Sequence, residues 1–389
     1  MSRVESAVVH EGVAWRDGKR YLWPLGLLVP LLPFGAAWLV GGTGWAAAWW
    51  LGPIIVFVIV PLFDTAFGRD ATNPPEAAVP DLEADRYYRW CTWLYLPLQY
   101  AGFLWAAAVV ARGDRSPASE LGLALTVGTV AGIGINTAHE LGHKRDRLER
   151  RLSKLALAQS GYGHFYVEHN RGHHANVSTP EDPASARLGE SFWRFLPRTV
   201  VGSLQSAWSI ASAAQARKGE RTWSWRNDVL NAWALSVVLF AGTVALFGVR
   251  VVPFVVVQAV FGFMLLEVVN YIEHYGLLRQ RVANGRYERC RPVHSWNSNN
   301  LASNLLLYHL ERHSDHHANP TRRYQSLRHV DEAPQLPSGY ALMICVACVP
   351  PLWRRVMDPR VLAHYGGEVT RANIHPPRRQ RVLARYAAS

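Results

Sequence analysis

Apolar and polar positions are sharply segregated along this chain. No residue between Arg20 and Asp64 is charged, a run of 43. That is too long for one membrane crossing and enough for two, since one needs about 20 residues. The turn-forming Gly41-Gly42-Thr43-Gly44 divides the run and predicts spans near 21–40 and 45–63. Further uncharged runs predict spans at 90–111, 121–138, 229–249 and 251–269, the last free of charge from Val251 to Leu266. Lipid offers no solvent to unpaired backbone groups, so runs of this length become helices. The predicted fold is an all-α integral membrane protein of six transmembrane helices, with the long polar segments 139–228 and 270–389 forming a helical cap. The apolar run from Pro337 to Trp353 is shorter and is interrupted by Pro350-Pro351, so it reads as a membrane-surface or core helix.

Charge gives the topology. Of 41 Lys and Arg, 38 fall in segments 1–20, 64–89, 139–228 and 267–389, and only 3 in the connections on the other side. By the positive-inside rule both termini and the two long segments face the cytosol. Of 29 acids, 27 lie on that same side, leaving it a surplus of about +11. The net charge of +12 is thereby explained by acidic lipid, and no basic–aromatic ladder points to nucleic acid. The first apolar run leads straight into a second, so it reads as an anchor and not a cleaved signal. Cys345 and Cys348 form a lone Cys-x-x-Cys, where a thiolate metal site wants four ligands; packing is their better reading.

The candidate chemistry lies in the histidines. His139 and His143 sit four apart at the end of the fourth span, and His169, His173 and His174 follow. His274 follows the sixth span, and His313, His316 and His317 form a last group. Spacings of three and four place imidazoles on one helix face, where they can reach one point. Neutral imidazole is the commonest metal ligand. Nine such residues exceed one ion's coordination positions and imply two. With no cysteine in the groups, redox-active iron is the expected metal. Glu140, Glu168, Asn270, Glu273 and Asp315 lie close in sequence and are candidates to accept the ligands' second N–H. His164 and His309 precede clusters as structural or supporting residues; His10, His294, His329, His364 and His375 have no ligand spacing.

These words resemble a known family. The series His-x3-His, His-x3-His-His, His-x2-His-His is the signature of the membrane desaturase and hydroxylase superfamily. HELGHK (139–144), EHNRGHH (168–174), NYIEHYGLLRQ (270–280), HSWNSN (294–299) and LERHSDHHANPTRRYQSLR (310–328) are similar to the bacterial alkane 1-monooxygenases, or alkane omega-hydroxylases. The resemblance runs over roughly 18–360 and implies one membrane-bound hydroxylase domain, 1–389, in the bacterial inner membrane. It implies two irons held by histidine alone, O2 as co-substrate, and insertion of oxygen into the terminal C–H bond of an n-alkane taken from the bilayer. It implies electrons from NAD(P)H through a rubredoxin reductase and then a rubredoxin. The chain lacks a rubredoxin's two Cys-x-x-Cys pairs, so that carrier is expected as a separate, acidic protein. Arg322, Arg323, Arg328, Arg354 and Arg355 are candidates to receive it.

Rival readings leave more unexplained. His-Glu-x-x-His also suits a zinc protease, but that needs one further ligand, not seven. A metal transporter would place His or acids within the spans. A fatty-acyl desaturase or another hydroxylase of the superfamily is the serious alternative. An alkane reaching the ligands would need a slot between spans, for which Gly128 and Gly132 on the fourth span and Val56 on the second are the expected lining.

Overall fold

The computed structural model describes residues 8–10 and 13–386. Six helices are long and apolar enough to cross a membrane: Trp23–Thr43, Ala46–Phe67, Arg86–Ala111, Pro117–Gly142, Asp228–Phe247 and Val249–His274. They match the six expected runs, and the chain is an integral membrane protein. Strand structure among the described residues is confined to a small antiparallel pair, Val8–His10 with Val13–Trp15, and isolated bridges.

The fourth span is the centre of the bundle. In its most apolar stretch 83 % of residues are buried, against 22 % in the second and fifth spans, which keep a face for lipid. The Ser116 hydroxyl accepts from Ser119 N–H and Pro117 takes the first turn, a favourable start for a helix. Its small residues allow close approach of the sixth span: a Cβ on Gly128 would lie 2.9 Å from Gln258 O, and one on Gly132 2.9 Å from Leu265 Cδ1. The second span widens into a π-helical turn at Ile55–Ile59, which carries Val56. The sixth span ends at His274; Gly276 follows in the left-handed region (φ 74°), which a side chain would strain.

Both inner spans outrun their uncharged cores. The fourth continues through His139 and Glu140, and the sixth through Glu267, Glu273 and His274. Buried partners make this tolerable: Glu267 accepts from Tyr162 Oη (2.7 Å), Thr199 Oγ1 (2.9 Å) and Asn270 Nδ2 (3.2 Å). The apolar run near 340 is a broken pair, Tyr340–Ala347 and Pro350–His364, bent by 119°. Its first half packs against the sixth span, as a core helix would.

Candidate metal centre

The nine expected histidines meet at the end of the bundle where the fourth and sixth spans finish. They form two groups, His139, His143, His169, His174 and His316 in one, and His173, His274, His313 and His317 in the other. Within each group the candidate ligand atoms all lie within 4.8 Å of one another. Each group draws on several elements, and the sequence-adjacent pairs His173/His174 and His316/His317 are split between the two. The groups also touch: the rings of His174 and His317 are 4.5 Å apart.

The nitrogens are arranged as a ligand set. His174 Nε2 is 3.2 Å from His169 Nε2 and 3.1 Å from His316 Nε2. In the second group, His313 Nε2 is 3.2 Å from His274 Nε2 and 2.9 Å from His317 Nε2. Imidazole nitrogens about 2.0–2.1 Å from one ion stand roughly 3 Å from each other. The buried Nε2 atoms of His139, His143 and His173 have no hydrogen-bond partner, a state expected of ligand atoms. Each group can hold a metal ion.

Electrostatics keeps most of these rings neutral, the form that binds metal. Burial first, and then neighbouring imidazoles, push His143, His169, His174, His313, His316 and His317 well below the usual histidine range. His173 goes the other way. Burial is the largest influence and opposes its charge, but Asp182, Glu168 and Glu267 together raise it. Asp182 Oδ2 lies 3.0 Å from His173 Nδ1, which turns Nε2 towards the second group.

The five candidate supporting groups are placed differently from one another. Glu273 Oε2 lies 3.2 Å from His313 Nε2, while Glu273 Oε1 accepts from Tyr340 Oη at 3.0 Å. Glu140 pairs instead with Lys144 Nζ at 3.0 Å and accepts from Tyr324 N–H. Asp315 accepts from Asn319 Nδ2 and Arg328 N–H. Asn270 donates to Glu267. Glu168 is buried with Oε1 unpartnered; burial and then Asp182 push its carboxyl up to about 8. Asp182 itself, and the His294 carbonyl 3.4 Å from His274 Nδ1, are partners that proximity in sequence missed. Asp182 sits nine residues past its histidine, beyond any helical spacing.

Of the other histidines, His309 lies between Tyr324 O (3.0 Å) and Lys19 Nζ (3.1 Å), and His164 against Tyr162. His294, His329, His364 and His375 are also outside both groups, and the side chain of His10 is outside the described residues.

An apolar cavity between the spans reaches both groups. His139 and His169 of the first group and His313 of the second are part of its wall, with Val56, Gly132, Leu265 and Ile344 further along. Gly128 is not in that wall; it packs on Gln258 and Phe261 of the sixth span. Among the expected docking arginines, Arg322 and Arg328 are engaged with Glu76 and Asp315, and Arg323 is held by buried Glu149 through two contacts of 2.9 Å.

Fold and site thus define a membrane-embedded helical protein with a paired histidine metal site beside an apolar cavity. Residues 118–347 match the fatty acid desaturase family. The chain is 47 % identical to an alkane 1-monooxygenase of Acinetobacter baylyi, over 95 % of this chain and 91 % of that one. It is 44 % identical to an alkane 1-monooxygenase of Ectopseudomonas oleovorans, over 96 % and 93 %. A xylene/toluene monooxygenase hydroxylase component of Pseudomonas putida is 28 % identical over 61 % of this chain. The chain belongs to the alkane 1-monooxygenase family, and it is a monooxygenase.

Proposed function

We propose that this chain hydroxylates the terminal carbon of n-alkanes to 1-alkanols, with two irons at the histidine groups, O2, and electrons from a separate rubredoxin. The observation that carries the reading is the apolar cavity that runs between the spans and ends on both groups. An n-alkane offers no hydrogen bond, so only shape and apolar contact can orient it. A cavity whose far wall is aliphatic and whose near wall is imidazole presents a chain end, not a chain middle, to the site. Irons bound there would supply the oxidant made from O2 that a primary C–H bond requires.

The protein's part is to bind, orient and keep water out. Asn136 stands one turn before His139 and Asn270 one turn before His274, so cavity-lining polar groups gather at the histidine end. There they can pair with the hydroxyl of the product. Tyr340 donates to Glu273 and so fixes the carboxylate that faces His313. A zinc-protease role for Glu140 is disfavoured, because its carboxylate is engaged by Lys144. The excess of Lys and Arg orients the histidine end and both termini to the cytosol of a bacterial inner membrane, where a soluble acidic carrier has access.

The test is metal analysis of the purified protein together with product identification from an n-alkane, an acyl chain and a peptide. Two irons per chain and the 1-alkanol are expected. Zinc as the native metal, a desaturated acyl chain, or 2-alkanols as main products would overturn the reading.

A further inference from the structure

Behind the second histidine group lies a set of arginines that the reaction does not use. Trp353 is fully buried, with its ring 5.0 Å from Tyr271 and 5.3 Å from Tyr275. Tyr271 is one turn before His274, so the helix Pro350–His364 places Arg354 and Arg355 at the end of the sixth span. Two other segments converge there. Arg378 Nη1 donates to Gly189 O at 3.3 Å, and Leu188 bridges Ile374, which brings the C-terminal segment against the start of the helix Phe192–Ala216 and its Arg194. Asp358 accepts from Tyr275 and Tyr386, both at 2.8 Å, which holds the helix Arg379–Tyr386 with its Arg381 to the same place. Burial first, and then the like charges of Arg194, Arg354 and Arg381, pull the Arg378 guanidinium below the usual arginine range.

These charges have no counter-ion in contact; Arg354 feels the Asp358 carboxylate four residues on, but only through space. Among the described residues the side chains of Arg194, Arg354 and Arg381 make no hydrogen bond or ion pair. The acids nearby are engaged: Asp358 with the two tyrosines, and Glu190 with Arg198 at 2.8 Å. Converging guanidinium groups left unpaired repel one another, and an anion placed between them removes that cost.

The rim of the set is apolar. Trp193 is 51 % exposed, Val349 49 % and Leu352 43 %. Trp193 Nε1 donates to Cys348 O at 2.9 Å, so its ring is fixed against the bend between Tyr340–Ala347 and Pro350–His364. An anchored tryptophan and bare aliphatic side chains beside arginines are the composition of a membrane–water interface. An acidic soluble protein would satisfy the arginines and leave this rim in water; a lipid satisfies both.

We propose that Arg194, Arg354, Arg378 and Arg381 bind the phosphate of an anionic phospholipid whose acyl chains cover Trp193, Val349 and Leu352. Guanidinium groups grip phosphate oxygens in pairs, and basic clusters at membrane helix ends recognise anionic headgroups in this way. The bound lipid clamps the helix Pro350–His364 against the sixth span. The site follows from membrane insertion and does not depend on the reaction.

Native mass spectrometry and thermal unfolding of the delipidated full-length protein test this, with phosphatidylglycerol, phosphatidylcholine and inorganic phosphate as probes. Phosphatidylglycerol should bind and raise the unfolding midpoint, and the other two should not at matched concentration. Arg354→Gln with Arg378→Gln should weaken phosphatidylglycerol binding roughly fivefold per arginine removed. Arg286→Gln, exposed on a different loop, should bind it as the wild type does. Single Arg354→Gln and Arg381→Gln variants serve if the double variant fails to fold. Equal phosphatidylglycerol binding by wild type and variants would overturn the proposal. So would an equal response to inorganic phosphate, which would make it a free oxyanion site. Loss of an acidic electron carrier's binding with lipid binding intact would make it a protein dock.

Discussion

At the scale of single residues, Asp182 is the informative case. It is buried, accepts from Ser185, and lies 3.0 Å from His173 Nδ1, so it fixes which nitrogen faces the second group. Partners of this kind are worth about 10- to 100-fold in metal affinity. Asp182→Asn should therefore lose metal to a chelator that much more readily while the helical circular dichroism stays unchanged; wild-type retention would remove Asp182 from the site. Val56 is the second case. It lines the cavity on the π-helical turn of the second span. Val56→Trp should shift the preferred alkane to shorter chains, as a graded change, because apolar pockets discriminate one methylene by only about 1–3 kcal/mol. Relative turnover across a ladder of n-alkanes measures it, and an unchanged profile would place the chain end elsewhere. Gly132→Phe is not an equivalent test. Its Cβ alone would approach Gly262 O to 3.1 Å, so it would push the fourth and sixth spans apart.

At the scale of elements, the pairing of Arg323 with Glu149 decides how the last histidine group is held. Glu149 lies on the helix Arg147–Ala158, and Arg323 follows the short helix His313–Ala318 that carries three of the nine histidines. The carboxylate is 0 % exposed, so it has no water to fall back on. Removing one partner of a buried pair costs about 3–5 kcal/mol. Arg323→Ala should lower the unfolding midpoint markedly and lose metal from the sites containing His313, His316 and His317. It should leave the salt dependence of electron delivery as it was, since the side chain is not free to dock a carrier. A stable variant with altered salt dependence would contradict this. Just upstream, Tyr308 and His309 adopt positive φ of 50° and 55°, a strained turn held by the contacts of His309.

At the scale of the whole molecule, the distribution of charge bears on how electrons arrive. If the proposed topology holds, 38 of 41 basic residues lie on one side, and an acidic carrier would be drawn to that face. The screening length falls to about 8 Å at physiological salt. The reduction rate by the proposed rubredoxin donor should therefore fall as ionic strength rises, measured by stopped-flow; a flat dependence would remove electrostatic steering. Arg354, if it holds a lipid phosphate as proposed, is not free to receive the carrier. Steering thus falls to the field of the face as a whole, since Arg322, Arg323 and Arg328 are spent on internal carboxylates.

The spans and the nine histidines were legible in the sequence for a common reason. Lipid excludes charge over a fixed length, and helical spacing of ligands is local, so both leave a mark in consecutive residues. Which histidines share a group was not legible, because His173 and His174, adjacent in the chain, face opposite ways around a π-helical turn at Glu168–His173. Nor was Asp182, whose contact is made by a loop folding back, nor the diversion of Glu140 to Lys144 and of Gly128 to helix packing. Those depend on how the fourth and sixth spans and the segments beyond them come together. A side chain's partner in a packed interior is set by three-dimensional distance, and only the tertiary structure fixes that.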